Sequence, residues 1–340
     1  PDLARPKTTS SAISTELLED LEHTRKLVDQ AKSERTQKAY REAFAKFEAW
    51  CARHYLSARP TKASVVCTYL GRLHRQRKSL SSLAVARAAI KDDQPELDLN
   101  TPEIKDLMKA VRRTAAEAGH KANVAEPFLI EDWNTLANCV GDGLEDKRDL
   151  ALLGLGLVRA LRGPSELLLL DLGVRKSLGA RGALELHPEG DGATIHLATS
   201  KTSQAASEAL DIEEGPAIAA VREWVHIAKI KPGTPVWRTI RKGIIKDSRL
   251  HQRTLHNIIQ RRATQILRAN GKTLAEAEAL AQDYSTHSLR RGALTTMGDE
   301  GATVSEMLDL SRHSPKSAKI MLAYVKKENR GAKRMKALGL

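Results

Sequence analysis

Residues 116–127, AEAGHKANVAEP, show no apolar periodicity, and they separate two stretches with different patterns. Before them, apolar residues recur at threes and fours, the spacing that places side chains on one face of a helix. After them, a period-two alternation also appears, as in a strand. Such a break predicts two hydrophobic cores, and 340 residues are enough to build both. The expected fold class is therefore mainly α. An all-helical domain spans 13–115, a linker spans 116–127, and a mixed α+β domain with a small antiparallel sheet spans 128–340. Residues 1–12 are polar and are expected to be a disordered arm.

In the first domain, Leu17, Leu18, Leu21 and Val28 mark a narrow apolar face from Ser14 onward. A second helix carries Tyr40, Phe44, Phe47, Trp50 and Cys51, and a third carries Val65, Val66, Tyr69, Leu70 and Leu73. A fourth runs from Ser81 to Ile90. Thr101-Pro102-Glu103 then opens a fifth, with proline in the first turn and an acid near the positive end of the dipole. In the second domain helices are predicted at 130–140 and 147–161, the latter so apolar that it must be buried. Leu184 and Leu186, then Ile195 and Leu197, flank the turn residues Glu189-Gly190-Asp191-Gly192 and predict a hairpin. Residues 209–212 are a candidate third strand. Helices return at 215–229, 249–269, 273–282, 286–298, 303–311 and about 316–328, with Thr303 and Glu306 forming a capping-box pattern.

Lys and Arg number 55 against 42 Asp and Glu, a net charge of +13, and the cations are spread along the chain. Dispersed positive charge on a folded protein fits a polyanion held along an extended surface. Aromatics are only 4% of the residues, which argues against binding single strands by base stacking and favours duplex DNA. Exposed positions of the helical domain that could carry it include Arg72, Arg87 and Lys91; the same residues also suit a merely solvated helix face. Cys51, Cys67 and Cys139 have neither zinc-site spacing nor an even count, and are read as reduced core residues. No run of about 18 apolar residues and no charged-then-apolar leader is present, so a cytoplasmic, nucleoid-associated protein is expected.

Several residues could carry chemistry. His287 and Arg290, three apart in THSLRRG, would lie on one helical face, and an imidazole beside a guanidinium suits a phosphodiester. Arg162 follows the buried helix and needs a partner there, either a carboxylate such as Glu166 or a bound anion. Lys201 follows the second hairpin strand, where a lysine is commonly only solvated. His313 follows a helix end, where a cation would meet the negative end of the dipole. Tyr324 shares a stripe with Ile320, Met321 and Val325, the place of a core tyrosine.

The order of these residues resembles the tyrosine recombinase (lambda-integrase) family, and the organisation from about 14 to 335 is similar to its Cre-type members. The resemblance implies that the helical domain is a core-binding domain and that the second domain is catalytic. It further implies that Arg162, Lys201, His287, Arg290 and His313 serve a nucleophilic Tyr324, with no metal and no cofactor. Arg162 and Arg290 would clamp the scissile phosphate, His287 would help remove the phenolic proton, Lys201 would protonate the leaving 5′-oxygen, and His313 would hydrogen-bond the phosphate. The family acid lies three residues after the first arginine; this chain has Ser165 there, and Glu166 reaches the site if the turn bulges. The interval from His313 to Tyr324 is two residues longer than in the family, with the extra length expected around Ser314-Pro315-Lys316. The resemblance also suggests a base contact for Arg253 and a homo-tetramer on two DNA duplexes from a free monomer or weak dimer. Subunit contacts would use the 14–31 helix and the 326–340 tail. A type IB topoisomerase-like enzyme and a catalytically silent DNA-binding protein are the alternatives.

Overall fold

The computed structural model describes residues 18–20, 22–24, 32, 34–117, 124–173, 181–188, 190–197, 208–313 and 318. The chain forms two compact units that part between Ala122 and Asn123. Lys201, Tyr324 and the 326–340 tail lie outside the described residues, as do the 1–12 arm, most of the 14–31 segment and nearly all of 316–328.

The first unit contains α1 (Glu34–Arg53), α2 (Ala63–Arg75), α3 (Leu80–Asp93) and α4 (Pro102–Glu117). Residues 18–20 and 22–24 are helical as well. The four helices meet in one core: Phe47 from α1 and Leu70 from α2, both on predicted stripes, with Leu83 and Ile90 from α3, and Ile104 and Val111 from α4. Phe47 and Tyr69 pack edge to face, 5.1 Å between centroids. Of the cysteines, Cys51 is buried but Cys139, expected in a core, is exposed. It sits in the last turn of its helix, beyond the inward-facing Trp133 and Leu136, where the chain leaves the core.

The second unit is organised around α6 (Leu144–Val158), whose Leu152, Leu153 and Leu155 are completely buried. It packs against α5 (Ile130–Cys139), α7 (Pro216–Ile227) and α10 (Ser288–Asp299). Completing this unit are α8 (Gln252–Ala269), α9 (Leu274–Ala281) and α11 (Val304–Ser311). Thr303 closes the predicted capping box, accepting from the Glu306 N–H while Glu306 accepts from Thr303. Residues 124–128 are docked on α10: the Phe128 N–H donates to Ser288 O (3.0 Å), and Arg291 donates to Ala125 O (2.9 Å). Gly292 permits this approach, because a Cβ there would fall 1.6 Å from Phe128 O.

The sheet runs β1 (Asp171–Leu172), β2 (Ala183–Leu186), β3 (Ala193–Leu197) and β4 (Glu208–Ile212), in that order. It is mixed, not wholly antiparallel, because β1 pairs parallel with β2. That short strand leaves a 3₁₀ turn at Leu167–Leu169, and its fully buried Asp171 is held by Arg249, which also donates to Leu168 O and Leu170 O. A second hairpin, β5 (Arg238–Arg241) and β6 (Ile244–Arg249), was not predicted. Lys242 and Gly243 both take positive φ (50° and 72°) in its two-residue turn, a geometry that the sequence signals much more plainly with Asn-Gly.

Candidate active site

Helices α6 and α11 end in the same way, and the site lies just beyond both ends. In each, a residue that is not glycine takes the left-handed conformation: Ala160 (φ 46°) after α6 and Arg312 (φ 54°) after α11. The Leu161 N–H then donates to Gly156 O (2.9 Å) and the His313 N–H to Leu308 O (3.2 Å), the 6→1 bond of a Schellman cap. These caps turn the chain sharply and deliver Arg162 and His313. The predicted helix end at 161 is therefore three residues late, because neither glycine nor asparagine marks the cap.

After the first cap, Glu166 N–H and Leu167 N–H both donate to Arg162 O, at 3.0 and 3.1 Å. This widened turn leaves Ser165 exposed and buries Glu166, so the acid one place late in sequence does reach the arginine. Arg162 gives Glu166 both its backbone N–H (2.8 Å, to Oε2) and its Nη1. Gly163 keeps the turn against its neighbours: a Cβ would stand 2.8 Å from Leu255 of α8 and 3.2 Å from Thr286.

Arg290 reaches this turn from α10. It is 6% exposed, and it donates to Ala160 O (3.0 Å), to Ser311 O and to His313 Nδ1 (3.2 Å), tying the ends of α6 and α11 together. Its Nη1 lies 3.9 Å from Glu166 Oε2. Glu166 thus gathers Arg162, Arg290 and a third guanidinium, Arg312, whose Nη2 is 2.6 Å from Oε2. Burial raises the carboxyl's pKa, but Arg312, the Arg162 N–H and the Arg162 guanidinium outweigh it and hold the pKa below the ordinary value.

The pKa of His313 is lowered as well, which for an imidazole favours the neutral form. Burial, then Arg290, Arg162 and Arg312, bring it down to about 4, with Glu166 opposing them. The ring is therefore neutral at physiological pH, contrary to the helix-end cation expected from sequence. Arginine can only donate, so Nδ1 accepts and the ring proton sits on Nε2. Ser311 Oγ, 2.7 Å from Nδ1 and 2.6 Å from Met307 O, can donate to either. A neutral Nε2–H is a donor suited to an anionic oxygen.

His287 lies at the N-cap of α10, with Ser285 Oγ accepting from its N–H (3.2 Å). Its side chain is exposed while Arg290 is buried, so the H-x-x-R pair joins an accessible imidazole to an anchored guanidinium. Lys201 falls in 198–207, outside the described residues, but the strands on either side pair Leu197 with Glu208. Glu208 Oε2 is 3.8 Å from Arg312 Nε. Arg253 is exposed in the first turn of α8, two residues before Leu255, which meets Gly163. In the first unit Arg72 is partly exposed, whereas Arg87 donates to Leu99 O (2.9 Å) and Asn100 Oδ1 (2.8 Å), and Lys91 to Pro95 O (2.6 Å) and Leu97 O (2.8 Å). Sequence reasoning missed Arg312; nothing in Ser-Arg-His distinguishes it from a surface cation.

No protein-family model matches the chain. An integrase/recombinase xerD homolog of Selenomonas ruminantium is 25% identical over 319 residues, covering 89% of this chain and 84% of that protein. The fold resembles XerH site-specific recombinase bound to a palindromic difH substrate, with TM-score 0.57, 14% identity and coverage of 89% of this chain and 79% of that one. It also resembles the Tn1549 transposon integrase in complex with transposon right-end DNA, with TM-score 0.57, 14% identity and coverage of 93% and 98%. The fold is thus that of the site-specific recombinases and integrases. In sequence the chain is thus similar to an integrase/recombinase homolog, and in fold to site-specific recombinase and integrase structures.

Proposed function

We propose that the protein is a site-specific DNA recombinase that cuts and rejoins duplex DNA through a 3′-phosphotyrosyl intermediate. The observation that carries this reading is the convergence of Arg162, Arg290 and a neutral His313 around one buried carboxylate. Phosphoryl transfer asks chiefly for placement and charge stabilisation. The two guanidiniums bind the non-bridging oxygens of the scissile phosphate, and His313 Nε2–H donates a further hydrogen bond. Tyr324 attacks phosphorus, the bond to the 5′-oxygen breaks, and Lys201 protonates that oxygen while His287 takes the phenolic proton. Attack by another strand's 5′-hydroxyl reverses the step, so exchange needs no external energy source.

Tyr284, the other tyrosine of this unit, is a poor nucleophile. It is 8% exposed, packs edge-on against Phe128, and burial raises its pKa, with Asp132 and Glu126 adding to the effect. The first unit serves as the core-binding domain. A groove between α3 and α4 is lined by Arg87, Lys91, Lys105, Lys109 and Arg112, a cationic surface for a phosphate backbone. The XerH and Tn1549 structures hold DNA substrates, which supports duplex DNA as the partner here. Four protomers on two duplexes complete the exchange, with the 14–31 and 326–340 segments in subunit contacts and a monomer or weak dimer free of DNA. Among the described residues no helix is long and apolar enough to cross a membrane, and the +13 charge fits a nucleoid-associated protein of the cytoplasm.

The test incubates the protein with duplexes from the sequence around its gene, nicked near candidate sites to trap cleavage. Denatured mixtures should contain a protein–DNA adduct that maps to Tyr324 and is absent from Tyr324→Phe. Tight, site-specific binding without an adduct would sink the recombinase mechanism.

A further inference from the structure

Arg312 occupies a position that the backbone reserves for other residues. With φ 54° and ψ 39° it is the left-handed residue of the cap after α11, where glycine is relaxed and an L side chain is strained. Its side chain is nevertheless only 8% exposed and fully engaged. Nη1 donates to Arg159 O (3.2 Å) and Leu310 O (3.1 Å), and Nη2 donates to Glu166 Oε2 (2.6 Å). A strained backbone that directs a buried cation onto a buried carboxylate suggests a function for that cation.

We infer that Arg312 is a positioning residue for DNA cleavage: it holds Glu166 ionised and fixed, so that Glu166 aims the Arg162 guanidinium at the scissile phosphate. This rests on the recombinase reading above. The groups facing Glu166 are Arg162 on its own turn, Arg290 from α10, and Arg312 and His313 after α11. Of these Arg162 is 29% exposed, more open to solvent than Arg290 or Arg312, and so the one best placed to meet DNA. Glu208 and Arg159 meet Arg312 itself, with Glu208 Oε2 3.8 Å from Nε and Arg159 O accepting from Nη1.

The charge count supports the same role. Three guanidiniums face one carboxylate beside a neutral imidazole, so the site retains excess positive charge for a phosphodiester whose negative charge grows in the transition state. Without Arg312, Glu166 loses the strongest of the charges that keep it ionised. As pH falls it takes up a proton sooner, and Arg162 then loses the carboxylate that orients it.

Arg312→Gly and Arg312→Lys test this, because glycine removes the guanidinium while relaxing the backbone and lysine keeps the charge. Single-turnover adduct formation on nicked duplex is followed from pH 5 to 9, with DNA affinity and the melting temperature measured alongside. For Arg312→Gly we expect unchanged folding, affinity within about 2-fold, adduct formation slowed at least ~10-fold because Arg162 is less firmly oriented, and an acid limb moved to higher pH. Arg312→Lys should recover part of both effects. A glycine variant with the parent's rate and pH profile overturns the proposal, as does a slowed variant with an unmoved acid limb. The Glu166 carboxyl pKa, read by NMR in DNA-free protein, should rise in Arg312→Gly; an unchanged value also overturns it. Should the parent form no adduct at any pH, the recombinase reading itself fails, and a raised Glu166 pKa in the variant would still separate that failure from an error in the geometry.

Discussion

Two clusters in the second unit have the same outline, three arginines around one buried carboxylate, yet differ in charge. At Asp149, which is completely buried, Arg148, Arg261 and Arg262 converge at 2.6–2.7 Å. Glu145 and Asp146 supply further carboxylates, at 2.7 Å from Arg261 and Arg262 respectively, so three acids meet three bases. At Glu166 the arginines are Arg162, Arg290 and Arg312, and among the described residues the other acid paired with them is the half-exposed Glu208, 3.8 Å from Arg312. A neutral cluster joins α6 to α8 and leaves no field for a ligand. An unbalanced one, opening to solvent at Arg162, keeps a field for an anion. Charge balance, more than burial or arginine count, separates the two clusters.

Removing one group from each cluster should break the comparison most visibly. Arg162→Gln is expected to slow adduct formation by about 10²–10³-fold, the range for a lost transition-state donor, with little change in melting because Arg312 still holds Glu166. Asp149→Asn should leave the chemistry of the folded fraction intact and cost about 3–5 kcal/mol, since it strands buried guanidiniums without their charge partner. Urea unfolding and single-turnover cleavage on both variants decide the matter. Equal loss of stability in the two would mean that charge balance distinguishes nothing here.

These two clusters also mark where sequence is informative. The apolar stripes of α1 and α2 were legible because helical periodicity records which face is buried, α6 because its later turns are apolar almost throughout, and H-x-x-R as a pair. Glu166 could be named as the partner of Arg162, but its arrival depends on a turn with bonds from both Glu166 and Leu167 to Arg162 O. Arg312 was not legible, since left-handed caps announce themselves through glycine. The β5–β6 hairpin escaped because Lys-Gly is a weak turn signal and much of β6 is solvent-exposed, leaving little apolar alternation. Lys201 and Tyr324, named from their order in the chain, fall outside the described residues.

The second way to sharpen the comparison is by pH. The excess positive charge at the Glu166 cluster lowers His313 to about 4, after burial has already favoured the neutral ring. An unfolded histidine titrates near 6.5, so between about 6.5 and about 4 the unfolded chain binds a proton that the folded protein refuses. Stability from this group therefore falls as pH is lowered through that window. Glu166, with its pKa depressed, contributes stability above the ordinary carboxylate range that is lost at still lower pH. Urea midpoints measured from pH 7 to 5 should fall more steeply for the parent than for His313→Gln, whose side chain takes no proton. Identical slopes would show that the arginines do not act on His313 as their placement implies.

The smallest expected effects lie in the helical unit, where the distinction between engaged and available cations recurs. Arg87 and Lys91 line the groove, but their charged ends are bonded to carbonyls and Asn100 of the 95–100 segment, while Lys105, Lys109 and Arg112 are exposed along one face of α4. Lys109→Gln should weaken duplex binding about equally for all sequences and reduce the salt slope of log K by about one, with no change in melting. Arg87→Gln should instead cost about 1 kcal/mol of stability for the lost bonds to Leu99 O and Asn100, with a smaller change in slope. Fluorescence anisotropy across a salt series, paired with thermal melts, distinguishes the two. If Arg87→Gln reduces the slope by one and Lys109→Gln leaves it alone, Arg87 releases its carbonyl to take a phosphate, and internal hydrogen bonding does not exclude a cation from the DNA surface.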